Sequence, residues 1–317
     1  MLRNMNPTLP TSVRGDRPGR RGALARLGLI GLLCATGCTH AGVVEAEAPV
    51  QTAHLLEARR AALTASEVLH ASVEIFGLEI ATLESSLCAA PQRGATMSTE
   101  VEAAPLVKIV KRTSGEARTD LLEAGGSPRT SDYTFRDGDL VRHYKVDYRA
   151  GGYAYVYDNG GIQRRAGQSD VPEGAEPHDL HSAMLLLRAW RPRLGETGYF
   201  YAVLGRRPWR VDVTSRGPEM IKLGEEPRLT YRLDGVAVRL WEPEGAPPKH
   251  FSIWLSEDTA RVPLRMVADA SFGQVTMTLT DREVGSDACR APAMAAGEPV
   301  GYDAVGPLGM RAAQLSP

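Results

Sequence analysis

Motifs that would name a chemistry are missing from this 317-residue sequence. It has no G-x-S-x-G, no S-x-x-K, no H-E-x-x-H and no glycine-rich phosphate loop ahead of a helix. The common signatures of acyl transfer, zinc hydrolysis and nucleotide binding are therefore absent, and nothing implies a cofactor or a metal. Charge of one sign is also missing. The 37 Lys and Arg nearly balance the 38 Asp and Glu, for a formal net charge of −1, which gives no electrostatic reason to expect a nucleic-acid partner. The apolar run Leu27–Ala35 is nine residues long, too short to span a bilayer as a permanent helix. Cysteine is scarce, with four in the chain.

What is there begins with an address. Arg3, Arg14, Arg17, Arg20, Arg21 and Arg26 stand against Asp16 alone, then comes the short apolar run, then small residues. That order makes a secretory signal. It ends in Ala35-Thr36-Gly37-Cys38, which resembles a bacterial lipobox with Ala35 in place of the usual leucine. The expectation is a signal over 1–37, lipidation of Cys38, and a home on the periplasmic face of the outer membrane. A plain signal peptide cut near Ala35 or Gly37 is the alternative. Export also sorts the cysteines: Cys34 leaves with the signal and Cys38 is consumed by lipid. Cys88 and Cys289 remain in an oxidising compartment, where they are expected to pair, the alternative being two free thiols.

Residues 38–66 read as a tether, in which His54–Leu63 could start as a short helix. From Glu67 to about position 285 the pattern is mostly period two, as in half-buried strands. Residues 67–87 read as two strands, 96–101 as a weak third, and 116–158 as four short ones. Residues 105–111 are ambiguous between strand and helix. Asp158–Pro177 reads as loop. One helix is clear near 179–190: Asp179 or Ser182 can cap it, Leu180, Met184, Leu187 and Trp190 share a stripe, and Pro192 stops it. Later strands are expected at 199–204, 209–214, 220–223, 229–233 and 236–241. Phe251–Asp281 closes the domain as three strands in meander, with Ile253, Leu255, Met266 and Leu279 facing the core. Residues 286–317, rich in Ala, Gly and Pro, read as a disordered tail. The fold expected is mainly β (α+β): a strongly twisted antiparallel sheet curling towards an open barrel, with one packed helix.

The closing stretch carries a resemblance. W-L-S-x-D, R-x-P-L-R and A-x-x-S-F-G, carried by Trp254, Leu255, Ser256, Asp258, Arg261, Pro263, Leu264 and Gly273, resemble the C-terminal signature of an uncharacterised bacterial envelope family, domain of unknown function 3108. The block Asp179–Arg188 and Leu194-Gly195 agrees with it. The likeness runs from roughly Glu67 to Asp281. It implies an exported, largely β domain and brings no known activity or catalytic residues.

Candidate site residues stay few. His178 and His181 flank Asp179 but lack a third ligand for a metal, so capping and surface polarity are the plainer reading. Asp258 in its turn is expected to bond its own backbone, with Arg261 closing the turn as a salt bridge. Tyr153, Tyr155, Tyr157, Trp209 and Trp241, with Trp254, could line a concave site or simply fill the sheet core. Two functions follow. One is a non-catalytic outer-membrane lipoprotein binding a partner or a hydrophobic envelope molecule. The other is an envelope hydrolase using Asp258 and one of His70, His178 or His181.

Overall fold

The computed structural model describes residues 53–56, 66–90, 94–110, 113–122, 126–241, 247–270, 273–285 and Cys289. The signal, Cys38, most of the tether, Phe272 and all of the tail but Cys289 lie outside these residues.

Sixteen strands of the described residues form one sheet. In chain order they are β1 (His54–Leu55), β2 (Glu67–Ile75), β3 (Leu78–Ala90), β4 (Gly94–Ala103), β5 (Thr113–Leu121), β6 (Pro128–Asp137), β7 (Leu140–Arg149), β8 (Gly152–Asn159), β9 (Arg164–Asp170), β10 (Pro177–His178), β11 (Thr197–Leu204), β12 (Arg207–Leu223), β13 (Glu226–Arg239), β14 (Lys249–Ser256), β15 (Pro263–Ala270) and β16 (Gly273–Val284). The helices are α1 (Pro105–Val110) and α2 (Leu180–Ala189). The ladder starts at β1, runs through β11 to β16 in sequence order, and continues from β2 to β9. Its joint is β16 against β2, where Met277 faces Val73 and Val275 faces Ile75. The chain's last strand thus pairs with the first long one. β1 and β10 both lie parallel to β11.

Among the described residues no pairing closes this ladder, yet the sheet curls until its two arms touch. Val203 of β11 packs with Tyr133, Val146 and Tyr153 of β6, β7 and β8. The Tyr153 hydroxyl donates to the carbonyl of Arg206, in the turn between β11 and β12, at 3.1 Å. Below them Val171 and Ala175, which follow β9, pack with Tyr201. The free edge at β9 is polar along its length (Arg-Arg-Ala-Gly-Gln-Ser-Asp), which discourages pairing with another chain.

α2 lies in the hollow of the curl and bridges its arms. Leu185 packs with Leu87, Ala95, Met97 and Leu121 on β3, β4 and β5. Ala183, Leu186 and Leu187 pack with Phe200, Trp209, Val213, Leu233 and Leu255 on β11 to β14. Each leucine so buried contributes about 1.5–3 kcal/mol. This enclosure corrects the expected stripe. Leu180 is 43% exposed, whereas 181–183 and 185–187 are buried. A helix wrapped by a sheet needs apolar side chains all round, not on one face.

Other sequence expectations shift too. His54–Leu55 is a strand, not the start of a helix. Part of the expected loop 158–177 is β9, whose polar side chains hid a strand exposed on both faces. The pieces 209–214 and 220–223 are one strand interrupted by a bulge between Ser215 and Gly217, and 229–233 and 236–241 merge into β13. Residues 105–110 settle as helix. Ile253 and Leu255 are core, Met266 packs at its margin, and Leu279 is half-buried. Cys88 and Cys289 form a disulfide with Cα atoms 5.5 Å apart.

Candidate functional site

Three features lie along α2: a buried polar network at its head, a cavity near its foot, and the signature turn packed against that foot.

At the head, Asp179 is the N-cap, and a capping box with Ser182 satisfies the first turn. Asp179 Oδ1 accepts from the Ser182 backbone N–H at 2.8 Å and from its hydroxyl at 2.6 Å. Oδ2 accepts from Ser131 at 2.9 Å, from Tyr133 at 3.2 Å, and from Thr119. Thr119 Oγ1 is also 2.7 Å from His181 Nδ1, and the ring's Nε2 is 2.9 Å from Thr99 Oγ1. Burial pushes the Asp179 pKa up, but the neighbouring His181 and the donors from Ser182 and Thr119 outweigh it and hold it below the usual carboxylate value. Burial lowers the pKa of His181, and of His178, against the pull of Asp179.

A carboxylate, an imidazole and a threonine hydroxyl in contact invite a catalytic reading. Access decides against it, since Asp179 and Thr119 have no exposed surface and a nucleophile must be reached by its substrate. The network fastens α2 to β4, β5 and β6. The expectation of surface polarity at His178 and His181 is thereby corrected, because they are 2% and 7% exposed. The sequence signal that could have shown this is Thr99, Thr119 and Ser131 at inward strand positions, which look like solvent-facing hydroxyls until a polar helix end meets them.

The foot of α2 forms one wall of a cavity of about 350 Å³, and the His54–Leu56 strap forms another. Leu55, Leu56, Leu186, Ala189 and Trp190 line its apolar part, and His54, Arg191 and Glu196 its polar part. The strap is held by Leu56 N–H donating to the Tyr199 carbonyl at 2.8 Å. His54 meets Trp190 edge-on at 6.2 Å and Glu196 at 3.7 Å. No expected site residue lines this cavity.

The expected aromatics are spread apart. Tyr153 and Trp209 are core residues of separate clusters, and Tyr157 stacks on Tyr144 at 4.6 Å. Tyr155 lies 6.3 Å from Tyr153. Trp241 is 69% exposed, and Trp254 is covered by the Arg232 guanidinium at 5.2 Å. As a shared lining for one ligand they are not brought together, because successive inward positions of a curled sheet face different parts of the core.

The signature turn is built by Ser256 and Asp258. Ser256 Oγ donates to Asp258 Oδ1 at 2.7 Å, Arg261 N–H donates to the same oxygen at 3.0 Å, and Val262 N–H donates to Ser256 Oγ at 2.8 Å. Pro263 then starts β15. Burial raises the Asp258 pKa, and the bonds from Ser256 and the backbone more than offset this, so it lies low. Its nearest cation is Arg282, at 3.8 Å, and no histidine is among its partners, so the hydrolase reading gains no support. His70 meets Glu84 and Glu283 instead. The turn is closed by Arg261's backbone, which corrects the expected salt bridge. Its side chain points inward, 3% exposed, over the Tyr231 ring at 5.2 Å. Arg261 has φ +46°, a left-handed conformation that costs a residue with a Cβ roughly 1–2 kcal/mol.

A family model described as protein of unknown function (DUF3108) matches residues 78–280. The chain belongs to this family. The DUF3108 match spans α2, the buried network and the signature turn. No curated protein matches the chain. Among solved structures, a crystal structure titled beta-barrel-like protein of domain of unknown function DUF1849 from Brucella abortus is similar at TM-score 0.47 and 9% identity, over 74% of this chain and 99% of that one.

Proposed function

We propose that this DUF3108 protein is a non-catalytic outer-membrane lipoprotein, held through Cys38, whose β domain binds a hydrophobic envelope molecule between the 54–56 strap and α2. The observation that carries this reading is the cavity itself. Its lining mixes apolar side chains (Leu55, Leu56, Leu186 and Trp190) with the polar His54, Arg191 and Glu196, a make-up that suits an amphiphile, and its volume is at the lower end of small-molecule sites. The strap supports the reading, because it lies sixteen residues after Cys38 in the segment that leads into the domain. A ligand held there would lie beside the tether.

The test is displacement of an environment-sensitive apolar dye from the purified domain by aliphatic amphiphiles, with mass spectrometry of lipid extracted from protein purified out of envelopes. Saturable dye binding that is lost in Leu186→Trp, which fills the cavity, supports the proposal. Absence of both dye binding and co-purified lipid defeats it. Capture of an envelope protein with no lipid would move the function to partner binding.

A further inference from the structure

Charge at the foot of α2 does not balance. Four guanidiniums gather there. Arg188 bonds Glu67 and the Ala260 carbonyl, Arg282 bonds Glu67 at 3.0 Å and reaches Asp258 at 3.8 Å. Those two carboxylates are thus taken, and Glu196, which lines the cavity with Arg191, accepts from the Arg193 N–H at 2.8 Å and lies 3.7 Å from His54. Arg191 has carbonyl partners only: Arg188, Trp190 and, at 3.0 Å, Thr259. Arg261 Nε and Nη2 are buried with no hydrogen-bond partner among the described residues. A buried guanidinium left unpaired is costly, and the exposed Arg191 nearby adds a like charge.

We propose that Arg191, with the charge of the buried Arg261 behind it, forms an anion site that receives a phosphate group, and that in an amphiphile this headgroup is the polar end of the molecule whose tail occupies the cavity. The inference rests on the cavity reading above and adds the chemical class of its ligand. Three observations support it. Arg191 lines the cavity itself, so a headgroup there is continuous with an apolar tail among Leu56, Leu186 and Trp190. Planar N–H forks suit the oxygens of a tetrahedral anion better than a point charge does. The turn built by Ser256 and Asp258 also acquires a purpose: it holds Arg261's backbone in an unfavourable conformation that turns the side chain inward, and such strain gathers at ligand clamps. Burial, and then the charge of Arg191, pull the Arg261 pKa down to about 10, as expected of a cation lacking its counter-ion.

The experiment compares dodecyl phosphate, dodecanol and inorganic phosphate in the dye-displacement assay, with thermal shift alongside. Dodecyl phosphate should bind at least about tenfold more tightly than dodecanol. Arg191→Gln, an exposed position, should erase that preference. Arg261→Met should do the same and, by removing an unpaired buried charge, leave the melting temperature of the ligand-free protein unchanged or higher; if it fails to fold, the Arg191→Gln comparison stands alone. Inorganic phosphate that binds as tightly as dodecyl phosphate, and is lost with Arg191→Gln, would keep the anion site and make free phosphate its source. Equal binding of dodecanol and dodecyl phosphate, unchanged by Arg191→Gln, would overturn the inference and leave the cavity reading intact. Failure of all three probes, and of the dye, would remove both.

Discussion

Leu56 lies so close over Gly198 that a Cβ on residue 198 would fall 2.5 Å from Leu56 Cδ2. The strap that walls the cavity therefore depends on a missing side chain on β11. Gly198→Ala must push Leu56 out or shift β11, at a cost of about 1–3 kcal/mol. Since the strap is short and bonded at one edge, it yields first. The expected outcome is faster proteolysis around 53–56, read by mass spectrometry, together with loss of dye binding. A variant cut as slowly as the parent would show that the strap does not govern the cavity.

The head of α2 should make the domain acid-sensitive. His178 and His181 have lowered pKa values when folded, so the unfolded chain takes up protons first. Their stabilisation is present above about pH 6.5 and is lost as pH falls below it. His143 works the other way, because its Nε2–H donates to Asp132 at 2.7 Å, which outweighs burial and raises its pKa and gives stability below about pH 6.5 that fades as pH rises. The His143 window lies above about pH 6.5, so on descending from about pH 6.5 the loss from His178 and His181 is unopposed. Asp179, with its pKa lowered, adds a second loss below about pH 4. Denaturant melts between pH 7.5 and 4 should show the first slope, and His181→Gln should flatten it. An unchanged slope in that variant would exclude His181 as a source.

How much of this could be read from residues alone follows from where the signal sits. Period two at 251–255, 264–272 and 275–279 marked the last three strands. β9 has none, so its strand was invisible until β8 supplied a partner. Helical spacing marked α2, and Met184, Leu187 and Trp190 of the expected stripe do pack on the core, but Leu180 is 43% exposed and the stripe missed the buried 181–183, 185 and 186, because a helix enclosed by sheet has no single inward face. The disulfide was legible from compartment and count. The inward course of Arg261 was not. Its turn was recognised, yet only tertiary packing shows that the backbone amide closes it and frees the guanidinium to face the core.

That turn is predicted to be a positioning device. Asp258→Asn keeps an acceptor for Ser256 and Arg261 but loses its charge, and should cost about 1 kcal/mol in a urea melt. Ile253→Asp, at a core position 2% exposed beside Leu233, should unfold the domain, since an unpaired carboxylate there exceeds about 4 kcal/mol. An Asp258→Asn protein as unstable as Ile253→Asp would mean that the carboxylate charge itself supports the fold.

The disulfide closes a loop whose ends are 201 positions apart. Chain entropy allows at most about 5 kcal/mol for such a loop. The native gain should be smaller, about 2–4 kcal/mol, because β2 lies between β3 and β16 and already holds both. Thiol labelling of the unreduced protein should find neither Cys88 nor Cys289 reactive, and Cys88→Ser with Cys289→Ser should lower the denaturation midpoint without changing far-UV circular dichroism. Labelling of both in the native protein would count against the bond.

Anchoring is the last expectation and the one on which location rests. Processing ahead of Cys38 would place lipid on its sulfur and on the new amino group, and several acyl chains hold where one does not, at about 0.8 kcal/mol for each buried CH₂. Thr39 follows, where an Asp would resemble an inner-membrane retention signal, so the outer membrane is the expected destination. From Cys38 to the strap at His54 is sixteen residues, up to about 55 Å if extended, enough to let the cavity approach the bilayer that holds it. Cys38→Ala should move the protein from the membrane pellet to the soluble fraction, and mass spectrometry of the parent's N-terminal peptide should find acyl chains on Cys38. A variant that stays in the pellet, or a parent peptide that begins elsewhere without lipid, would end the lipoprotein reading and leave the domain to be considered as a free periplasmic binder.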